Sequence, residues 1–193
     1  MKDAILRKAR ESAEVKMRFA EENTASLERC ARDLARRFLG GGRLFVMGNG
    51  GSACDAAHVA VEFVHPILER RRALPALALS TDAAALTAVG NDGDFGGVFD
   101  EQLAVLARPD DAVLGISTSG TSANVNRALT SARRRGMLTI AFAGRDGGRT
   151  AEIAEHAFVV KSWSIHRVQE THTLLLHLLW DLVHVAMGED DVL

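Results

Sequence analysis

Apolar residues along this chain fall into two patterns. Short continuous apolar runs occupy 44–47, 77–79, 113–116, 139–142 and 157–160. Runs of this length, bounded by glycine and polar residues, read as buried strands. Between and around them the spacing predicts helices over about 53–64, 83–89, 97–107, 122–135 and 149–155, with a last one over 166–187. Residues 3–38 read as a long, charged, amphipathic helix, with an interruption expected near Asn23 and Thr24, where Thr24 or Ser26 can cap a restart. Gly40-Gly41-Gly42 ends it.

Alternating strands and helices imply parallel strands joined by right-handed crossovers, with helices on both faces of the sheet. In such α/β sheets the ligand site lies at the carboxyl ends of the strands. No linker, repeat or low-complexity segment interrupts residues 1–193, so one domain is expected. The first helix carries Arg7, Lys8, Arg10, Glu11, Glu14 and Lys16 and few large apolar residues. That pattern suits residues 1–40 either to oligomerisation, packing on another subunit, or to lying on their own sheet.

Composition narrows the class without choosing a chemistry. The hydrophobic fraction is 47% and the charged fraction 25%, ordinary for a globular protein. A net charge of −2 and the absence of a long basic stripe argue against nucleic acid as the main partner. The short stretch Glu69-Arg70-Arg71-Arg72 reads as a solvated loop. Cys30 and Cys54 offer no disulfide framework and no cysteine metal site. With no signal-peptide pattern and no membrane-spanning run, a soluble cytoplasmic protein is expected.

Chemistry concentrates where the third strand ends. Ser117, Thr118, Ser119, Thr121 and Ser122 place five hydroxyls in six positions at a strand-to-helix turn, around Gly120. The free N–H groups of a helix N-terminus favour an anion, and Ser/Thr hydroxyls add donors. A single cap needs only one hydroxyl. The loop lacks Lys and Arg and is not a P-loop. The first strand ends in Gly48-Asn49-Gly50-Gly51-Ser52-Ala53. This is a loose G-x-G-x-x-A, but Asp82 lies beyond the usual spacing of the ribose-binding acid. The polar side chains of Asn49 and Ser52 favour a phosphosugar cleft over a dinucleotide crevice.

His58 and Glu62 lie four residues apart on the following helix, on one face, and can act as acid and base or ligate a divalent metal. The apolar residues around them predict a helix buried on most sides, where a Glu needs a partner or a raised pKa. The last helix carries Gln169, His172, His177 and His184. His172 and His184 read as core or interface histidines, whereas His177, among leucines, calls for a partner. His65 reads as a loop residue, and Asn91 and Asp92 as a polar loop behind a helix stop at Gly90.

Taken together, Gly48-Asn49-Gly50-Gly51-Ser52, Asp55, His58, Glu62, Ser80-Thr81-Asp82, Gly90-Asn91-Asp92, Ile116-Ser117-Thr118-Ser119-Gly120, Gly144-Arg145-Asp146-Gly147-Gly148 and Arg167-Val168-Gln169-Glu170-Thr171-His172 closely resemble the phosphoheptose isomerases, single sugar-isomerase (SIS) domain proteins. The resemblance spans nearly the whole chain. It implies a flavodoxin-like three-layer sandwich around a parallel five-stranded sheet, a homotetramer with sites between subunits, and in several members a bound Zn²⁺. It implies isomerisation of sedoheptulose 7-phosphate to heptose 7-phosphate through an enediol. By position, Ser52, Ser117, Thr118, Ser119 and Ser122 would hold the phosphate. Asn49, Gly50, Gly51, Asn91, Asp92 and Gln169 would contact the substrate. Glu62 and His177 match the acid–base pair, and His58, Glu62, Gln169 and His177 match the zinc ligands.

Three positions depart from the family pattern. His65-Pro66 stands where members commonly have a Gly-Arg pair, with Arg70, Arg71 or Arg72 as candidate substitutes; Thr121 replaces an Asn; and His166 stands where some members carry an acid. An eight-carbon sugar phosphate is therefore an alternative substrate. A tetrameric binding protein of the replication initiator and a phosphosugar-sensing regulator are alternatives of another class. The complete set of His58, Glu62, Gln169 and His177 speaks against a scaffold, which has no need of it.

Overall fold

The computed structural model describes residues 1–67 and 71–191, so Glu69 and Arg70 of the arginine-rich stretch lie outside the described residues. Five strands form one sheet: β1 (Leu44–Gly48), β2 (Ala76–Ala78), β3 (Ala112–Ser117), β4 (Leu138–Gly144) and β5 (His156–Val160). Their order is β2-β1-β3-β4-β5 and every pairing is parallel, with Phe45 opposite Val113 and Ser117 opposite Ala143. This is the flavodoxin-like doubly wound order.

The helices are α1 (Lys2–Leu39), α2 (Gly51–Val64), α3 (Ala83–Asp92), α4 (Asp100–Leu106), α5 (Ala123–Arg134), α6 (Gly148–Ile153) and α7 (Ile165–Ala186). Alternation along β1 divides the core between two faces, as the two-residue period of a strand requires. Leu44 and Val46 join Leu34, Phe63, Leu175 and Trp180 beneath α1, α2 and α7. Phe45 and Met47 join Leu103, Val125, Leu129 and Ile153 beneath α4, α5 and α6. The result is three layers, helix on sheet on helix.

Three expectations need correction. First, α1 runs unbroken through Asn23 and Thr24. Their side chains donate back to the carbonyls of Phe19 and Ala20 at 2.8 and 2.9 Å, so they are satisfied inside the helix instead of capping a new one. Second, α3 does not stop at Gly90 but continues through Asn91 and Asp92 to Gly93. Third, the helix expected over 97–107 is a 3₁₀ turn (Phe95–Gly97) followed by the shorter α4.

From Phe19 onward α1 buries Leu27, Cys30, Leu34 and Phe38 against its own domain, while residues 1–10 are exposed. No helix among the described residues is long and apolar enough to cross a membrane. His172 and His184 are fully buried on α7, as core histidines. His172 donates from Nε2 to the carbonyl of Ala143 at 3.3 Å, and burial pulls its pKa from 6.5 down to about 4 despite that bond. Burial lowers the pKa of His184 as well.

A depressed histidine pKa means that the unfolded chain takes up the proton first, so stability is full above about pH 6.5 and is lost as pH falls toward 4. For His172 the loss should be about 3 kcal/mol. Urea unfolding across this range should show that decline, with a flatter profile in His172→Gln.

Candidate active site

The strand order reverses beside β1: the chain leaves β1 for β2 on one side and later returns to β3 on the other. The loops after β1 and β3 therefore diverge in direction and open a crevice at their carboxyl ends, the switch point where open α/β sheets bind ligands. Both loops lead directly into helices, so the N-termini of α2 and α5 meet there. Neither helix has a side-chain cap or an acidic residue in its first turn. Uncapped N–H groups and the positive dipole ends of two helices converge on one place.

The hydroxyl-rich loop is built to face that place. Ser122 occupies the N-cap position of α5, yet its hydroxyl meets Ser117 Oγ at 2.9 Å instead of capping the helix. Thr121 donates to Ser119 Oγ from its N–H at 3.2 Å and from its hydroxyl at 3.0 Å. Gly120 holds φ at +70°, and a Cβ there would lie 2.2 Å from the carbonyl oxygen of Gly147. Thr150 locks the same turn by donating to Gly120 O from its N–H at 2.9 Å and its hydroxyl at 2.8 Å. The loop is rigid and rich in donors, and it contains no cation.

A pair of amides ties the two loops together. Asn49 Nδ2 donates to Asn124 Oδ1, and Asn124 Nδ2 donates to Asn49 Oδ1, both at 2.9 Å. Asn124 is buried and also accepts from the N–H of Val125 at 2.9 Å. Ser80, in the turn after β2, braces the other side of the glycine loop through Gly48, accepting from its N–H at 3.2 Å and donating to its carbonyl at 2.8 Å. Gln169 reaches the loop from α7: a Cβ on Gly51 would lie 2.3 Å from its Nε2.

Two turns further along α2, His58 Nε2 lies 3.2 Å from Glu62 Oε1. His177 comes across from α7 with its ring edge against His58, centroids 5.0 Å apart. One ligating atom from each of the three residues lies within 4.8 Å of the others. His58 and Glu62 are half-buried, so α2 is less enclosed than its apolar flanks suggest. His177 is exposed, and the partner it calls for is His58 rather than a buried environment. One turn before His58, Asp55 has a buried oxygen with no partner, and burial raises its pKa against the opposing pull of His58.

Some candidate residues stand apart. Asn91 and Asp92 lie in the last turn of α3, exposed and bonded to each other at 2.8 Å. Gln169 is eight residues from His177, about 12 Å of helix rise, and lies nearer the glycine loop than the His58 cluster. Arg71 cannot serve as a substitute cation at the crevice. It is buried, pairs with Asp181, and its guanidinium lies 4.6 Å over the Trp180 ring. Arg72 pairs with Glu189 at 3.3 Å. His65 caps the C-terminus of α2 and His166 is exposed near the start of α7. Sequence reading missed Asn124, whose place in a helix's first turn looks ordinary, and gave no role to Asp55 or Ser80.

Comparison with known proteins places this geometry. The SIS domain family model matches residues 9–144. The phosphoheptose isomerase of Aquifex aeolicus is 45% identical over 180 residues, covering 93% of this chain and 94% of its own. That of Desulfovibrio desulfuricans is 45% identical over 188 residues, covering 97% and 90%. Among solved structures, the phosphoheptose isomerase of Francisella tularensis superposes with a TM-score of 0.90 at 32% identity, covering 95% of this chain and 97% of that one. The Neisseria gonorrhoeae enzyme gives 0.88 at 36% identity, covering 94% and 97%.

The amide pair provides a test of the crevice's construction. Asn124→Ala should cost about 1–3 kcal/mol by stranding Asn49 and the Val125 N–H. In urea unfolding, Asn49→Ala with Asn124→Ala should cost less than the sum of the two single changes. Additivity would mean that the pair contributes nothing as a unit.

Proposed function

This chain belongs to the SIS-domain family, among the phosphoheptose isomerases, and from that footing we propose how it isomerises sedoheptulose 7-phosphate to D-glycero-D-manno-heptose 7-phosphate. The observation that carries the reading is the meeting of two uncapped helix N-termini with a loop of hydroxyls at the switch point. A phosphate dianion fits there with Ser52, Ser117, Thr118, Ser119 and Ser122 as donors. Asn49, Gly50, Gly51 and Gln169 line the sugar's path. From Gly51 to His58 the helix rises about 10 Å, so the reacting end of an extended open-chain sugar reaches the acid–base cluster.

At that end Glu62 removes the carbon-bound proton from C1 of the ketose and returns it at C2, through a cis-enediol. His177 moves the accompanying proton between O1 and O2, and His58 orients Glu62 through their hydrogen bond. The substrate's far phosphate holds C1 and C2 in place, so binding energy is turned into orientation.

The donor set fits zinc. Two imidazoles and a carboxylate with ligating atoms within 4.8 Å of one another are the N/O ligands this ion takes. His58, Glu62 and His177 would hold it; Gln169, whose amide lies against Gly51, would have to turn toward them to serve as the fourth ligand the resemblance implies. Bound Zn²⁺ would polarise the carbonyl and stabilise the developing enediolate.

The exposure of His177, Asn91 and Asp92 in one protomer suits a site completed between subunits. The exposed Ile5, Leu6 and Met17 on α1 suit a homotetramer, which we place in the cytoplasm. Curated relatives between 42 and 51% identical are named phosphoheptose isomerases, which disfavours the binding-protein and eight-carbon readings.

The direct test is incubation with sedoheptulose 7-phosphate, assayed for the aldose. Glu62→Gln and His177→Ala should each lower kcat by about 10²–10⁴ with Tm unchanged. An active Glu62→Gln enzyme would remove Glu62 from its role. Chelation should abolish turnover and added Zn²⁺ should restore it; full activity after exhaustive chelation would leave the metal without a catalytic part.

A further inference from the structure

The opposite edge of the sheet carries a second convergence of ligating side chains that the isomerase chemistry does not use. His156 is the first residue of β5, Glu155 precedes it, and Asp33 faces them from α1. Asp33 Oδ2 lies 2.8 Å from His156 Nε2, and one ligating atom from each of Asp33, Glu155 and His156 lies within 4.8 Å of the others. Among the described residues, this trio and the catalytic cluster are the groups in which three such donors converge. They also share a resting contact, an imidazole nitrogen on a carboxylate oxygen.

An ordinary ion pair between Asp33 and His156 would tie α1 to the edge strand. It leaves Glu155 unexplained. Two carboxylates brought this close repel each other, and the imidazole's hydrogen bond goes to Asp33, not to Glu155. Arg36, on the other Asp33 oxygen, is largely exposed and well solvated. Beneath them the buried Cys30 thiol is held in its protonated form, first by burial and then by the charges of Asp33 and Glu155. Negative potential thus collects at a place that also offers an imidazole nitrogen. His156 and Asp33 are mostly shielded while Glu155 is exposed, which leaves an entry path and room for water as a fourth ligand.

We propose that Asp33, Glu155 and His156 form a second divalent-metal site, of the zinc class, that fastens α1 to β5. One imidazole and two carboxylates is a donor set Zn²⁺ accepts. The Arg36 contact to the outer oxygen of Asp33 would orient that carboxylate, as second-shell groups do. The site is independent of the catalytic assignment.

The test uses the full-length protein stripped of metal and titrated with micromolar Zn²⁺ by equilibrium dialysis, with thermal unfolding in parallel. In a Glu62→Gln, His177→Ala background, which removes catalytic ligands, one ion per chain should still bind and raise Tm. Adding Glu155→Gln should weaken that binding at least about tenfold. Glu155→Gln alone should leave isomerase turnover unchanged and should not lower the metal-free Tm, because the contact between Asp33 and His156 survives it. His156→Gln should abolish binding. Should the double background fail to fold, Glu155→Gln against wild type should differ by one ion per chain. Uptake only at millimolar Zn²⁺, or affinity unchanged by Glu155→Gln, would overturn the site.

Discussion

The reversal of strand order between β2 and β3 around β1 is the constraint on which the rest of this molecule depends. Parallel strands need crossovers, and right-handed crossovers that step to opposite sides of β1 leave a gap between their loops. Two helix N-termini end at the gap with their first N–H groups unspent on side-chain caps. The reciprocal bond between Asn49 and Asn124 fixes the width of the gap, since each amide satisfies the other and neither can move alone. Such pairs contribute little net energy while made and cost more when half broken, which favours one geometry.

From this anchor, position is transmitted along α2. The helix begins at the glycine loop and carries His58 and Glu62 on the face that meets α7. α7 in turn touches the loop through Gln169 and His58 through His177. The proposed phosphate and reacting sites are thus the two ends of one packed pair of helices. A far-end phosphate can then orient the carbons that react, without a lid or a moving domain.

Much of this was legible in the sequence, for physical reasons that differ by element. Buried parallel strands leave continuous apolar runs, so β1, β3 and β4 were readable within a residue or two. The hydroxyl loop was readable because five hydroxyls exceed what capping requires. Asn91 and Asp92 misled because Gly90 reads as a helix stop, yet no neighbour needs its backbone to break there and α3 continues. The exposed setting of His177 was hidden by the leucines around it, of which Leu175, Leu176 and Leu179 enter the core while the imidazole meets His58 of α2. Asn124 and Asp55 were silent because their roles depend on partners across the fold. The trio of Asp33, Glu155 and His156 was silent for the same reason, its members being brought together only when α1 lies along β5.

The central claim is that the phosphate sits at the paired helix N-termini and thereby places C1 and C2 between Glu62 and His177. A crystal structure of the Glu62→Gln protein with sedoheptulose 7-phosphate tests it most directly. The account predicts phosphate density within hydrogen-bonding distance of the hydroxyls at 117–122, with the open chain running along α2 and its first two carbons beside residues 62 and 177. Phosphate bound elsewhere, or a sugar whose reducing end points away from α7, would contradict it.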